Sequence, residues 1–252
     1  MPQVNNQGVR IHYQLEGEGP PLVLQHGSAD CVESWYELGY VHALKAAYQL
    51  ILIDARGHGA SDKPHDPNAY GLPWMVDDIR AVLDALHLPK AHFWGYSMGG
   101  YIGFGLAKYL PARCSSLIIG GQNPAARSFA LRRQHVQRGI EQGIEAFVAS
   151  MAEAHESLWP GYIARLRTTD LEAHLALSQD RPNLEEVLPT MTMPCLLYAG
   201  EADPVCPGLK ACLHQLPHVT FFSLPGLNHP EAFVQSHAVL PHVTKFLATV
   251  PT

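Results

Sequence analysis

Charge is sparse in this sequence, and no stretch of it concentrates charge of one sign. Only 16% of the 252 residues are charged, the formal net charge is −6 at pH 7, and the basic residues form no clustered run. Binding to nucleic acids or to anionic membranes depends on clustered positive charge. We therefore expect neither a nucleic acid nor a membrane surface as a partner.

Long apolar runs and targeting signals are also missing. No apolar stretch approaches the roughly 18 residues of a membrane span, and the first five residues, Met-Pro-Gln-Val-Asn, lack the charged-then-apolar order of a signal peptide. Hydrophobic residues still make up 47% of the chain, which is enough for a full core. The sequence therefore predicts a cytoplasmic protein, and an α/β fold of this length often forms one unit.

The spacing of cysteine and histidine residues does not match a disulfide framework or a metal site. The five cysteines include no Cys-x-x-Cys pair, which is typical of small buried residues in a reducing compartment. The 15 histidines include no His-Glu-x-x-His motif, and the pair His214 and His218 lacks a third ligand nearby in sequence. We expect no metal and no cofactor.

One stretch, residues 92–105, carries the strongest signal in the chain. An apolar run leads into Gly-Tyr-Ser-Met-Gly at residues 95–99 and then into a helical pattern. A serine at the tip of a sharp strand-to-helix turn needs small neighbours two residues away on each side, and Gly95 and Gly99 provide them. The free N–H groups at the start of such a helix favour a developing oxyanion. The motif predicts Ser97 as a nucleophile.

Apolar strands alternate with helical patterns along most of the chain. After an opening hairpin of Val4 and residues 9–15, strands are predicted at residues 22–25, 49–54, 92–96, 117–121, 195–199 and 220–224. Helices are predicted at residues 34–48, 74–86 and 231–249, and directly after Ser97. This alternation indicates a mostly parallel sheet covered by helices on both faces. The ligand site is then expected beyond the carboxyl ends of the strands.

The pattern changes between residues 122 and 193, where four short helices are predicted without a strand. These helices cover residues 125–138, 143–155, 160–168 and 171–177. We interpret residues 122–193 as a helical cap inserted after the sixth strand into a core formed by residues 1–121 and 194–252.

The apolar residues of the cap either line a substrate pocket or form the cap's own core. We expect Phe129, Phe147 and Trp159, together with Tyr96 of the core, to bind substrate, although core packing is the simpler interpretation for any single one of the cap residues. The sequence does not predict whether four arginines of the cap point toward the pocket or toward solvent, namely Arg127, Arg132, Arg133 and Arg138. The charge of the substrate therefore stays open, and an apolar ester of modest size is the default.

Further polar residues follow the predicted strands. We expect His26 to stabilise its loop by hydrogen bonding rather than to take part in catalysis. We likewise expect Asp54 and Arg56 to fix the next loop rather than to form an active-site pair. Asp203 and His229 follow the last two strands. A serine hydroxyl needs a base, and the base needs a carboxylate that fixes its tautomer.

These residues match a known family in both order and spacing. Ser97, Asp203 and His229 follow the chain order of the α/β-hydrolases. The matching segments are Gln-His-Gly-Ser at 25–28, Asp-Ala-Arg-Gly-His-Gly-Ala-Ser at 54–61, Gly-Tyr-Ser-Met-Gly-Gly at 95–100, Gly-Glu-Ala-Asp-Pro at 200–204 and Gly-Leu-Asn-His-Pro-Glu at 226–231. Over essentially its whole length the chain resembles small capped members of that family, which include bacterial carboxylesterases and lactonases.

The resemblance implies an α/β-hydrolase fold and a role for each matching residue. Ser97 would be the nucleophile, His229 the general base and then acid, and Asp203 the carboxylate that orients His229, with Glu201 as the nearest rival. The backbone N–H groups of Ser28 and Met98 would form the oxyanion hole.

Several activities fit this implied machinery. Hydrolysis of a small-molecule carboxylic ester is the main expectation, and opening of an acyl-homoserine or enol lactone is an alternative. Carbon–carbon bond hydrolases of this family often have Asn where Tyr96 stands, which disfavours that activity. A perhydrolase or haloperoxidase side activity and a non-enzymatic ligand receptor are further alternatives. The sequence leaves open the oligomeric state and whether Cys31 touches the site.

Overall fold

A computed structural model describes residues 2–154 and 158–250, and eight strands of this part form one sheet. The strands are β1 (Gln3–Asn6), β2 (Val9–Glu16), β3 (Pro21–Gln25), β4 (Gln49–Ile53), β5 (Ala91–Tyr96), β6 (Cys114–Gly120), β7 (Cys195–Gly200) and β8 (Val219–Leu224). Their spatial order is β1-β2-β4-β3-β5-β6-β7-β8. β1 and β2 pair antiparallel and β2 pairs antiparallel with β4, whereas every later pairing is parallel. The predicted mostly parallel sheet is confirmed.

Helices cover both faces of this sheet, and a second group lies between β6 and β7. The helices are α1 (Glu33–Glu37), α2 (Tyr40–Leu44), α3 (Leu72–Ala85), α4 (Met98–Tyr109), α5 (Ala130–Gln142), α6 (Ile144–Ala154), α7 (Pro160–Arg167), α8 (Leu171–Leu177), α9 (Cys206–Cys212), α10 (Glu231–Val234) and α11 (Ser236–Leu247). No helix in the described residues is both long and apolar enough to span a membrane.

Three helical features differ from the sequence prediction. The helix expected at residues 34–48 is broken at Gly39, which has a left-handed backbone with φ of 82° and separates α1 from α2. The last helix is broken at Gln235, between α10 and α11. The sequence pattern also missed α9, which connects the parallel strands β7 and β8, as such a crossover usually does.

Alternate side chains of the strands fill two separate cores. On β5, Phe93 belongs to the core that packs against α3 and α4, whereas Trp94 belongs to the core that packs against α2 and α11. Successive side chains of a strand point to opposite faces, and both faces of this sheet are covered. The central strands are therefore continuously apolar, which is the signal that the sequence carried.

The helices α5 to α8 form a cap after the sixth strand, as predicted. They enclose a small core of their own, which includes Val136, Phe147 and Leu166. The first helix begins at Ala130 rather than at residue 125, because the backbones of Arg127 and Arg181 form two reciprocal hydrogen bonds of 3.0 and 2.9 Å. These bonds hold the residues before α5 in an extended bridge. The predicted helix at 143–155 is α6, and its last predicted residue lies outside the described residues.

Candidate active site

Ser97 lies at the turn between β5 and α4 and has a strained backbone. Its φ of 54° and ψ of −108° lie outside the regions that residues with a side chain favour. A Cβ atom on Gly95 would lie 2.1 Å from the carbonyl oxygen of Gly99, and one on Gly99 would lie 2.2 Å from that of Gln25. The turn therefore requires glycine at both positions, for the reason that the sequence indicated.

Ser97, His229 and Asp203 form one hydrogen-bonded line. Nε2 of His229 lies 3.0 Å from Oγ of Ser97, and Nδ1 of His229 lies 2.6 Å from Oδ2 of Asp203. The other carboxylate oxygen of Asp203 accepts the N–H of Val205 at 3.0 Å. A carboxylate accepts hydrogen bonds only, so Nδ1 carries the proton and Nε2 is free to accept the hydroxyl proton of Ser97.

Glu201, the rival carboxylate, lies elsewhere on the surface. It is exposed, accepts a hydrogen bond from the hydroxyl of Ser223 at 2.7 Å, and lies 4.0 Å from the ammonium group of Lys210. Asp203, by contrast, is 2% exposed. The geometry therefore assigns the contact with His229 to Asp203.

The two predicted oxyanion donors border the same cavity as Ser97. Ser28 and Met98 both line it, and a Cβ atom on Gly27 would lie 3.4 Å from Cβ of Ser97. Within the described part of the chain, neither the N–H of Ser28 nor that of Met98 has a hydrogen-bond acceptor. Both donors are therefore available to a ligand oxygen beside Ser97, although their catalytic role stays a prediction.

This cavity has a volume of about 620 Å³ and lies between the sheet and the cap. Of the predicted substrate-binding residues, Tyr96, Phe129 and Trp159 line it. Phe147 does not. It is fully buried in the core of the cap, where the missing side chain of Gly139 lets it pack against α5. The expectation that Phe147 lines the pocket is corrected accordingly.

The match to a known family agrees with this arrangement. The model of the alpha/beta hydrolase fold family matches residues 20–230, which include the turn at Ser97 and both of its partners. The chain belongs to the alpha/beta hydrolase fold family.

Relatives of this chain match along nearly its whole length. It is 29% identical to the pimeloyl-[acyl-carrier protein] methyl ester esterase of Xanthomonas axonopodis pv. citri, over 96% of this chain and 100% of that protein. It is also 29% identical to 3-oxoadipate enol-lactonase 1 of Acinetobacter baylyi, over 92% of each. Among solved structures, the enol-lactonase from Burkholderia xenovorans LB400 has a TM-score of 0.85 at 22% identity, over 98% of this chain and 100% of that one. At that identity the likeness shows the fold.

Tyr96 supports the backbone of the candidate base. Its hydroxyl donates to the carbonyl oxygen of His229 at 2.5 Å, and its ring stacks on Phe233 with centroids 4.7 Å apart. Burial raises the pKa of Tyr96, so the phenol stays a hydrogen-bond donor. The side chain thus both lines the cavity and holds the residue that contacts Ser97.

The cap of the hydrolase is tied to the loop that carries Ser28. The hydroxyl of Tyr162 donates to the carbonyl oxygen of Ser28 at 3.0 Å, and the guanidinium of Arg132 contacts the Ser28 hydroxyl. Nε of Arg165 lies 2.6 Å from the carboxylate of Asp30. Sequence reasoning missed these contacts, because the partners are more than 100 residues apart and no local pattern marks them.

Polar residues of the first two loops hold the backbone. Nδ1 of His26 lies 2.6 Å from the carbonyl oxygen of Gly27, and its Nε2 accepts the N–H of Ala55 at 3.1 Å. Asp54 is not paired with Arg56. It lies 2.7 Å from Nδ1 of His12 and accepts backbone N–H groups.

Arg56 holds the second loop through a different partner. It forms two hydrogen bonds of 2.7 Å with the buried carboxylate of Asp78. These contacts agree with a bracing role for Arg56 rather than with a place in the active site.

Cys31 lies outside the active-site cavity. In the described residues it is not part of the cavity lining, and burial raises the pKa of its thiol. Its sulfur could form a three-ligand group with Glu33 and Asp54, since their ligand atoms lie within 4.8 Å of one another. Both oxygens of Asp54 already accept hydrogen bonds from the protein, so the group is not an open metal site.

Proposed function

We propose that this alpha/beta hydrolase cleaves carboxylic esters through an acyl-enzyme on Ser97. The observation that carries the proposal is the 3.0 Å contact between Oγ of Ser97 and Nε2 of His229, in a line that ends at the buried Asp203 and opens on the cavity. The relative named as a methyl ester esterase supports the same reaction class.

In the first step, Oγ of Ser97 attacks the ester carbonyl carbon and its proton moves to Nε2 of His229. The carboxylate of Asp203 stabilises the imidazolium that forms. The carbonyl oxygen becomes an oxyanion and accepts the N–H groups of Ser28 and Met98. Each such donor is worth roughly 3–4 kcal/mol of transition-state stabilisation.

The tetrahedral intermediate then collapses. The C–O bond to the alcohol breaks, and His229 gives its proton to the leaving oxygen. A water molecule, deprotonated by His229, next attacks the acyl-enzyme, and the acid leaves as Ser97 regains its proton. The sum is ester plus water to acid plus alcohol, so water is the only co-reactant that the balance needs.

A lactone is the second candidate substrate, favoured by the similarity to 3-oxoadipate enol-lactonase 1 over 92% of the chain. The same residues would open a cyclic ester by the same steps. The only chemical difference is that the alcohol and the acid leave as one molecule.

The test is steady-state turnover of p-nitrophenyl esters of increasing chain length and of acyl-homoserine lactones. We expect Ser97→Ala to lower ester kcat about a million-fold and Asp203→Asn about ten-thousand-fold, because the amide favours the wrong tautomer of His229. Glu201→Gln is the matched control and should retain wild-type rates, since Glu201 contacts no part of the line.

The outcomes separate the alternatives. A strong preference for lactones would assign the hydrolase to the second candidate. Ester turnover that persists in folded Ser97→Ala would contradict the mechanism. No multiple turnover on either set by the folded wild type would overturn the proposal and direct the search to carbon–carbon substrates or a receptor role.

A further inference from the structure

Three arginine side chains line the cap side of the cavity and surround one aromatic ring. The guanidinium carbons of Arg127, Arg132 and Arg181 lie 5.4, 5.7 and 4.7 Å from the ring centre of Phe129. All three line the same cavity as Ser97. We call these three residues the arginine cluster.

The backbone holds the cluster together. Arg127 and Arg181 belong to segments on either side of the cap helices, and their reciprocal hydrogen bonds of 3.0 and 2.9 Å fix one beside the other. The guanidinium of Arg181 also lies 4.2 Å from the ring centre of Tyr101, so it is placed between two aromatic rings. The cluster is therefore positioned by the fold rather than being a chance meeting of mobile side chains.

No carboxylate of the described residues neutralises the cluster. The acidic side chains that line the cavity are Asp30 and Asp203, and both already have partners. Asp30 lies 2.6 Å from Nε of Arg165, and Asp203 lies 2.6 Å from Nδ1 of His229. The positive charge of the cluster thus faces the cavity without a matching negative charge.

The polar contacts of the cluster are with neutral groups. Arg132 contacts the hydroxyl of Ser28 and lies 2.7 Å from Nε2 of His174, a buried imidazole whose pKa is lowered by burial. Burial and the neighbouring arginine lower the pKa of Arg181 to about 9, so its guanidinium remains charged at neutral pH. Aromatic contacts offset only part of the cost of holding like charges together and away from water.

We propose that the arginine cluster is an anion subsite and that the substrate is an ester or lactone bearing a carboxylate, which the cluster binds while Ser97 attacks the ester carbonyl. This inference rests on the proposed ester hydrolysis and names its substrate class. Guanidinium groups match a carboxylate with paired hydrogen bonds. The ring of Phe129 supplies apolar contact for the carbon chain between the two groups. The apolar ester expected from the sequence is thereby replaced by an anionic one.

The first test compares pairs of esters in which a second, distant carboxyl group is either a free carboxylate or methylated. Monomethyl adipate carries the charge on the acyl part, and dimethyl adipate is its neutral partner. 4-Acetoxybutanoate carries the charge on the alcohol part, and its methyl ester is its neutral partner. The measured quantity is kcat/KM for methanol release from the adipates, halved for the two equivalent groups of dimethyl adipate, and for acetate release from the acetoxy esters. We expect it to favour the anionic member of at least one pair by ten-fold or more. Such a preference corresponds to about 1.4 kcal/mol or more.

Substitutions then connect the preference to the cluster. Arg127→Gln and Arg181→Gln should each lower the ratio of anionic to neutral kcat/KM several-fold, mainly through KM, and Arg181→Lys should retain part of it. Arg133→Gln is the matched control, because Arg133 lies on the same helix as Arg132 but pairs with Asp180 at 2.8 Å. The control should keep the wild-type ratio.

The second test needs no turnover. Adipate and inorganic phosphate are titrated by calorimetry into Ser97→Ala, alone and combined with Arg181→Gln. We expect adipate to bind, with binding weakened by salt and by the arginine substitution. Equal turnover of charged and neutral esters together with no adipate binding would overturn the subsite, as would binding of phosphate alone.

The two proposals fail in different ways. Ester turnover that requires Ser97 but shows no preference for charge, together with no adipate binding to Ser97→Ala, would leave the esterase mechanism standing and remove the subsite. Adipate binding that depends on Arg181, in a chain that hydrolyses none of the esters, would support the subsite and remove the proposed reaction.

Discussion

The hydroxyl of Tyr96 provides a direct test of how the candidate base is held. Tyr96→Phe removes only the oxygen that donates to the carbonyl of His229 at 2.5 Å, while the ring keeps its stacking on Phe233. The side chain is 3% exposed, so water does not readily replace the lost donor. The substitution therefore leaves the partly buried carbonyl of His229 without this partner and frees the backbone that carries His229.

Both stability and rate should fall. Loss of one partner of a buried hydrogen bond costs roughly 1–3 kcal/mol in the free energy of unfolding. A shift of about 1 Å in a catalytic group can cost about a hundred-fold in rate, so we expect kcat to fall roughly ten- to a hundred-fold with a smaller change in KM. Urea unfolding and steady-state ester hydrolysis measure the two effects.

The matched control is Tyr198→Phe. Tyr198 is also fully buried, but its hydroxyl accepts the indole N–H of Trp94 at 3.2 Å and does not donate to the carbonyl of His229. This variant should lose a similar amount of stability but keep kcat. Equal losses of kcat in the two variants, or an unchanged kcat in Tyr96→Phe, would show that the Tyr96 hydroxyl does not position His229.

Two further predictions concern stability. Asp78→Ala should lower the free energy of unfolding by about 3–5 kcal/mol in urea titrations, because the buried Arg56 loses both 2.7 Å contacts. The control Asp84→Ala removes exposed ion pairs and should lower the free energy of unfolding by less than about 1 kcal/mol. Burial lowers the pKa of His58 and of His174. Below about pH 6.5 these histidines therefore bind protons in the unfolded chain but stay neutral in the folded one, so the free energy of unfolding falls as the pH is lowered. The free energy of unfolding, measured by urea titration, should therefore be lower at about pH 5.5 than at about pH 7.5. His58→Asn, which retains a side-chain donor, should reduce this loss by about half, and an identical pH dependence would contradict the assignment.

Local signals were sufficient for the sheet and for the turn at Ser97. The apolar strands can be recognised because both faces of the sheet are buried, and the glycines at 95 and 99 are required by contacts of about 2 Å with the backbone. Ser97, Asp203 and His229 follow strands whose carboxyl ends meet at one edge of the sheet, and their chain order matched that of the α/β-hydrolases. The structure adds their distances and the choice of Asp203 over Glu201.

The cap was less predictable, since its helices are short and the residues that each helix turns toward the cavity are set by distant partners. Phe147 has the same apolar character as Phe129, yet one fills the core of the cap and the other lines the cavity. The difference arises from the small Gly139 beside Phe147 and from the contact of residues 127 and 181 beside Phe129.

The layout was predictable from the sequence: a mostly parallel sheet, an inserted cap, and a serine, a histidine and an aspartate at the ends of strands. Each of these depends on residues that are close in sequence or on the alternation of strands and helices. Which charges face the cavity depends on packing, because Arg181 is distant in sequence from Arg127 and Arg132 and the folded cap brings all three around Phe129. A charge acts on whatever lies near it in space, and that neighbourhood is set by packing rather than by chain order.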